Sequence, residues 1–239
     1  MRLNRKSKSA ALLTGLIFAG CASFTPRLRY QDLMGERLPT VEQAQEGLTV
    51  SVEEFVSPTK SKQAFDADLA PYGVLALLAR MENRGSATYR MPSQSIKVSL
   101  NNQPLSPLSG EQAATQAATS EYAGKALGWT VAAGPFALLL WPATIAGSAV
   151  HTQGVNARII QHFESLEFTG SLVRPNLTAG GFVYFQLPQN VKTLENIRVE
   201  VIANEEQSGK RLPFNLQLPT LELSAAVSHR AVSENKTDP

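Results

Sequence analysis

The residues able to do chemistry are few and far apart. The stretch FDADL, Phe65 to Leu69, sets Asp66 and Asp68 two apart, as at the start of a calcium loop. A complete loop also needs a glycine at its sharp turn and a closing glutamate. Neither stands at its place, so both carboxylates are expected in a solvated loop. His151 and His162 are eleven apart and share a helix face, but helical rise separates them by about 16 Å, too far for one metal ion. They are expected at the surface or along the seam of a helical hairpin, and His229 in a polar tail. No CxxC, HExxH, GxSxG or phosphate-loop pattern occurs. With one cysteine and three histidines, nucleophile–base pairs have few members to draw on. The expectation is a protein that is not an enzyme and needs no metal or cofactor. An enzyme with an unrecognised site is the alternative, and a concave pocket lined by perturbed acids would reveal it. The run AGGF, Ala179 to Phe182, precedes an apparent strand and not a helix, so it reads as a turn.

The elements that must carry such residues are bounded by composition. A chain of 239 residues, 43% hydrophobic and 18% charged, can bury one sizeable core, with or without an insertion. The leader MRLNRKSKSAALLTGLIFAGCAS is basic, then apolar from Ala10 to Phe18, then small, which is the anatomy of an export signal. Four basic residues, Arg2, Arg5, Lys6 and Lys8, lie in it. Removing them from 22 basic residues leaves 18 against 20 acidic ones, and that balance argues against a nucleic-acid partner. One cysteine also excludes an intramolecular disulfide, so stability must come from packing.

The four residues FAGC, Phe18 to Cys21, resemble the lipobox of bacterial lipoproteins. The resemblance covers only the leader and implies cleavage before Cys21, a diacylglycerol thioether on its thiol and acylation of its amino group. Membrane lipid would then be a partner through acylated Cys21. Ala22 in place of the aspartate that retains such proteins at the inner membrane implies, for a double-membraned bacterium, the periplasmic face of the outer membrane. An ordinary export signal cut after Ala22 is the competing reading. Two or more acyl chains make a stable anchor where one does not.

Residues 1–20 are thus expected to be signal peptide, and 21–46 a lipidated N-terminus and tether. Within the tether, PTVEQAQEG fits one helical turn, with Thr40 and Gln43 as a capping box. If flexible, the tether reaches on the order of 25 to 30 Å. From Gly47, β-branched segments with period two recur between turn signals. They are Leu48 to Val56, Ser95 to Leu100, Ser165 to Phe168, Gly181 to Leu187, Asn196 to Ala203 and Leu212 to Leu218, with a short PLSPL strand after the NNQ turn. NEEQSGK is expected to be a hairpin loop. Gly73 to Asn83 starts with a continuous apolar run, as a central strand buried on both faces would. Seven or eight short strands point to a mainly β fold, an immunoglobulin-like antiparallel β-sandwich built from 47–110 and 166–219, with 220–239 a disordered tail.

Residues 111–165 interrupt this pattern. Gln112 to Gly134 is rich in alanine, and Ala143 to Ser165 carries an amphipathic stripe of Val155, Ile159, Phe163 and Leu166, so both favour helix. These arms of equal length, joined by PFALLLWP, predict a long apolar helical hairpin. A single transmembrane span over 126–150 is the rival, since that run is uncharged and long enough for a bilayer of about 30 Å. Pro135 and Pro142 break helix near its middle, and one crossing would separate the two β halves. The apolar end of the first arm is about 13 Å long, enough for one leaflet. Trp129, Phe136, Leu138, Leu139, Leu140 and Trp141 are the candidate membrane or partner contacts, tryptophan being common at membrane interfaces. Gly124, Gly128 and Ala132 on one arm and Ala143 and Gly147 on the other would let the helices approach closely. Three destinations suit this tip: the leaflet holding the anchor, a second copy or envelope protein partner, or the core of its own sandwich. The functional expectation is an interaction or scaffolding module of the cell envelope.

Overall fold

A computed structural model describes residues 24–35, 39–117, 157–189 and 191–223. The described residues are mainly β, with two large antiparallel sheets, a two-stranded one and a few helices. The first sheet has the order β1-β2-β3-β9-β7, formed by β1 (Val41–Gln45), β2 (Leu48–Glu54), β3 (Val74–Asn83), β9 (Thr178–Gln186) and β7 (Pro107–Leu108). The second runs β6-β5-β11-β4-β8, from β6 (Gln103–Pro104), β5 (Ile96–Leu100), β11 (Ile197–Glu205), β4 (Tyr89–Pro92) and β8 (Gly170–Val173). On the other edge of β11 lies β12 (Arg211–Gln217).

Alternation decides how the sheets face each other. Leu48, Val50 and Val52 of β2, and Leu75, Leu77, Ala79 and Met81 of β3, join Ile96, Val98, Leu100, Val199, Val201, Phe214 and Leu216 of the second sheet in one core. The other face of β3, Val74, Ala76 and Leu78, joins Phe182 and Tyr184 of β9 under a layer of helices. These are α1 (Tyr30–Met34), α2 (Pro58–Phe65), α3 (Gly110–Ala117) and α4, residues 157–166. β3 is therefore covered on both sides, and Val74 to Ala79 are all buried, as the unbroken apolar run predicts.

The strands at Leu48, Gly73, Ser95, Gly181, Asn196 and Leu212 lie where periodicity puts them, and β11 and β12 pair across the NEEQSGK hairpin. NNQ turns the chain with Asn101 and Asn102 both at positive φ. PLSPL is not one strand: its Pro104 ends β6 in the second sheet and its Pro107 and Leu108 form β7 in the first, so the chain changes sheets there.

Several expectations are corrected. PTVEQAQEG is not a helical turn within a tether, because Val41 to Gln45 form β1, joined to β2 by a two-residue turn at Glu46 and Gly47. Both turn residues have positive φ, at 48° and 81°, the hairpin geometry that matches strand twist. β1 is a half-exposed edge strand, so its polar side chains hide the period. Ser165 to Phe168 is not a strand either: Ser165 and Leu166 end α4, and Glu167 makes one parallel bridge to Phe182. The expected tail begins inside the fold, since β13 (Leu221–Glu222) pairs with β10 (Thr193–Leu194).

AGGF is also not a turn. Gly180 and Gly181 lie inside β9, where a neighbouring backbone comes too close for a side chain. A Cβ on Gly181 would stand 2.8 Å from the Phe168 nitrogen and 3.0 Å from the Leu166 oxygen. This contact lets the chain leaving α4 close the open edge of β9, with the Phe168 N–H donating to the Phe182 carbonyl at 2.8 Å. Gly181→Ala should cost about 1–3 kcal/mol through this overpacking. A lowered urea midpoint at unchanged m-value would show it, and an unchanged midpoint would refute the close-approach argument.

Candidate functional site

The root of the inserted segment is the place where the described fold meets the residues singled out for function. Ser109 caps α3: its Oγ accepts from the Gln112 N–H at 3.1 Å, while the Ser109 N–H donates to Gln112 Oε1 at 2.9 Å. This reciprocal capping box starts the helix at Gly110, two residues before the expected arm. Gly110 lies against the last turn of α4, where a Cβ would stand 3.0 Å from both the Glu164 nitrogen and the Phe163 carbonyl carbon. Its N–H donates to Glu167 Oε2 at 2.8 Å, which also puts a carboxylate at a helix N-terminus, where the backbone dipoles favour it. The start of α3 thus meets the end of α4.

Small side chains seat α3 and a ring cluster seats α4. Ala113, Ala114 and Ala117 are fully buried, and so is the Ile159, Phe163 and Leu166 stripe of α4. Val155, the fourth member of that stripe, lies outside the described residues. Phe163 meets Phe65 of α2 at 4.8 Å and Tyr184 at 5.7 Å between ring centroids, and Phe65 meets Phe182 at 4.8 Å. Phe55 closes the group edge-on to Phe182 at 4.8 Å. Burying such rings is worth more than area alone, because edge-to-face pairs add about 0.5–1.5 kcal/mol each. The Tyr184 hydroxyl donates to the Phe163 carbonyl at 3.3 Å. Burial, with the Glu167 carboxylate adding to it, holds its pKa well above the ordinary tyrosine value.

His162 is half-buried at the seam between α4 and α2. Its Nε2 lies 2.7 Å from the Ala64 carbonyl oxygen; a carbonyl only accepts, so Nε2 carries the proton. Phe24 stands edge-on over the ring at 5.3 Å. Asp66 ends α2 in the left-handed region and its Oδ2 accepts from the Thr25 N–H at 3.1 Å. It therefore holds the N-terminal segment, a role that its spacing from Asp68 did not suggest.

The main polar cluster outside the root is structural in form. Lys60 of α2 lies 3.1 Å from Glu54 Oε1 and 3.4 Å from Glu53 Oε1, both carboxylates being buried at the end of β2. Glu54 Oε2 also accepts from the Val56 N–H at 2.8 Å. One ammonium thus faces both carboxylates, offsetting one of their two charges, and ties α2 to the sheet. A cleft beside it, ≈ 220 Å³ with its open mouth included, is lined by Leu33, Pro39, Ser51, Glu53, Leu78 and Arg80, below the size of ordinary small-molecule sites. Among the described residues no group of three or more His, Cys, Asp or Glu converges, and no helix is long and apolar enough to cross a membrane.

Cys21 lies outside the described residues. So do the contact candidates Trp129, Phe136, Leu138, Leu139, Leu140 and Trp141, the packing candidates Gly124, Gly128, Ala132, Ala143 and Gly147, and His151 and His229. What the fold does constrain is where their segment starts and ends. β9 pairs with β3 and β7, and β11 with β4 and β5. Strands from before residue 117 and after residue 157 therefore share both sheets. That shared pairing does not favour the single span over 126–150, whose residues lie outside the described ones.

No protein-family model and no curated protein matches the chain. One solved structure, a Bacillus subtilis subsp. subtilis str. 168 protein provisionally named a lipoprotein (YcdA), is similar at 12% identity and a TM-score of 0.33 over 76% of this chain. The match spans 39% of that protein, a likeness too slight to assign a fold or an activity.

Burial is the largest influence on His162 and lowers its pKa from 6.5, against a smaller opposing effect of the Ala64 carbonyl. The unfolded chain then takes up this proton first. The stability that neutral His162 contributes is full above its ordinary pKa and is lost as pH falls from about 6.5 through the depressed folded value. Urea unfolding at a series of pH values should show that loss, and His162→Gln, which keeps a donor for Ala64, should flatten it. An unaltered slope in the variant would refute the assignment.

Proposed function

We propose that the chain is a non-enzymatic, lipid-anchored protein of the bacterial cell envelope that works as an interaction or scaffolding module. The observation that carries this reading is Cys21, the chain's only cysteine, at the end of FAGC behind a basic and then apolar leader. Processing there would give a mature N-terminus with more than one acyl chain, enough for a stable anchor. Ala22 favours the periplasmic face of the outer membrane. The non-enzymatic part rests on the scarcity of nucleophile–base partners, with three histidines in 239 residues.

The body suits such a module. Two antiparallel sheets enclosing one core support a sandwich of the immunoglobulin-like kind, to which the helical layer is an addition. α3 and α4, which flank the uncharged run from Ala126 to Val150 in sequence, pack on the same sheet face, and this supports the reading of an apolar hairpin between them. An exposed apolar surface of that kind is a contact surface for lipid or protein.

Metabolic palmitate labelling with membrane fractionation tests the anchor. Wild type should be labelled and sediment with membranes, and Cys21→Ala should be unlabelled and soluble. An unlabelled, freely soluble wild type would sink the reading. Leu139→Glu tests the contact surface. It should abolish either a concentration-dependent mass in detergent-free solution or the blue shift of tryptophan fluorescence on adding vesicles. If wild type shows neither, the contact role fails.

A further inference from the structure

Residues 21–46 read as a tether in the sequence, and the described part from Phe24 to Gly35 is fastened along its length. The N–H groups of Arg27 and Leu28 both donate to the Gln63 carbonyl, at 2.9 and 3.0 Å, and the Thr25 N–H donates to Asp66 Oδ2 at 3.1 Å. The Tyr30 hydroxyl donates to the Gly180 carbonyl at 3.0 Å, and Arg80 Nη1 donates to the Gly35 carbonyl at 2.7 Å. Leu33 is fully buried in the helical layer, with Phe24, Leu28 and Met34 packed beside it. Gly180 matters here as well, since a Cβ on it would stand 3.1 Å from Met34 Cε.

This fastening begins three residues after Cys21. Three residues span at most about 11 Å when fully extended. The surface beside Phe24 is the end of α2 and one face of α4, and its exposed charged side chains include three bases. Arg27 runs along Gln63, next to exposed Lys62, and exposed Arg158 precedes His162 by one helical turn on the same face. Of the acids nearby, Asp66 is held by Thr25 and Asp32 by the Arg29 N–H at 2.8 Å, while Glu164 is exposed on α4.

We infer that residues 24–35 are a strap that holds the α2–α4 face of the body against the anionic headgroups of the leaflet receiving the Cys21 acyl chains. This rests on acylation at Cys21. The short link fixes the distance, and Arg27, Lys62 and Arg158 offer the leaflet basic side chains, which an anionic surface attracts within a Debye length. The second sheet then points away from the membrane, with Lys97 on its outer face two layer spacings of about 10 Å beyond the helices.

The acylated full chain in vesicles of phosphatidylcholine and phosphatidylglycerol tests the strap. Acylation blocks the natural thiol, so a fluorophore can be placed on Gln63→Cys or, separately, on Lys97→Cys, with a quencher on the lipid headgroups. Quenching should be several-fold stronger at position 63. A Gly/Ser insertion of about ten residues between Ser23 and Phe24, which adds on the order of 17 Å of reach, should reduce it. Arg27→Glu with Lys62→Glu should reduce it too while leaving acylation intact. Equal quenching at the two positions, or indifference to the insertion, overturns the strap. Indifference to the charge reversal overturns the headgroup contact. Shielding of the position 63 label from lipid by a cross-linkable protein assigns this face to a protein and also overturns the inference. A wild-type chain without acyl groups fails earlier and removes the anchor itself, so the two failures are distinguishable.

Discussion

Everything in this structure follows from a sheet with two apolar faces. In β3 the residues from Val74 to Ala79 are all buried, so a single partner layer would leave half of them in water. At about 25 cal/mol per Å² of apolar surface, exposing either face would cost more than the marginal stability of a domain of this size. One face is met by the second sheet and the other by α1 to α4. The helices are a required layer of the fold, and anything they carry is fixed relative to the sheets.

That requirement explains the glycines and small residues at the points where layers meet. Gly181 lets the chain leaving α4 pass the edge of β9 on its way into the second sheet, and Gly180 admits α1. Gly110 lets the first turn of α3 touch the last turn of α4, and three alanines lower α3 onto the sheet. The aromatic group around Phe65 fills the remaining space, with His162 closing its rim under Phe24.

The same layer gathers the features that bear on function. Residues 24–35 are fastened to it, and α3 and α4, which flank the apolar stretch in sequence, belong to it. Residues 24–35, α3 and α4 therefore lie on one side of the body, and the second sheet forms the other. A body built this way has two unlike sides, although its sequence reads as a tether, a sandwich and an insertion in turn.

The sequence by itself determined the elements whose side chains alternate strongly or are uniformly apolar: β2, β3, β5, β9, β11 and β12, and the stripe of α4 at Ile159, Phe163 and Leu166. Periodicity records burial, and these residues are buried on a definite face whatever lies opposite. It also supplied the lipobox resemblance at Cys21, which is a matter of local chemistry. Only the tertiary structure decided the rest. The edge strand β1 is polar because one of its sides is wet, so its membership in the sheet rests on main-chain pairing, with the Glu46–Gly47 turn as its only local sign. AGGF looks like a turn because glycine serves turns and close approaches equally, and only the neighbouring backbone tells them apart. The tether is a strap because its partners, Gln63, Asp66, Arg80 and Gly180, lie far along the chain. Hydrogen bonds and packing between distant segments leave no period in sequence, and so they become visible only once the layers are assembled.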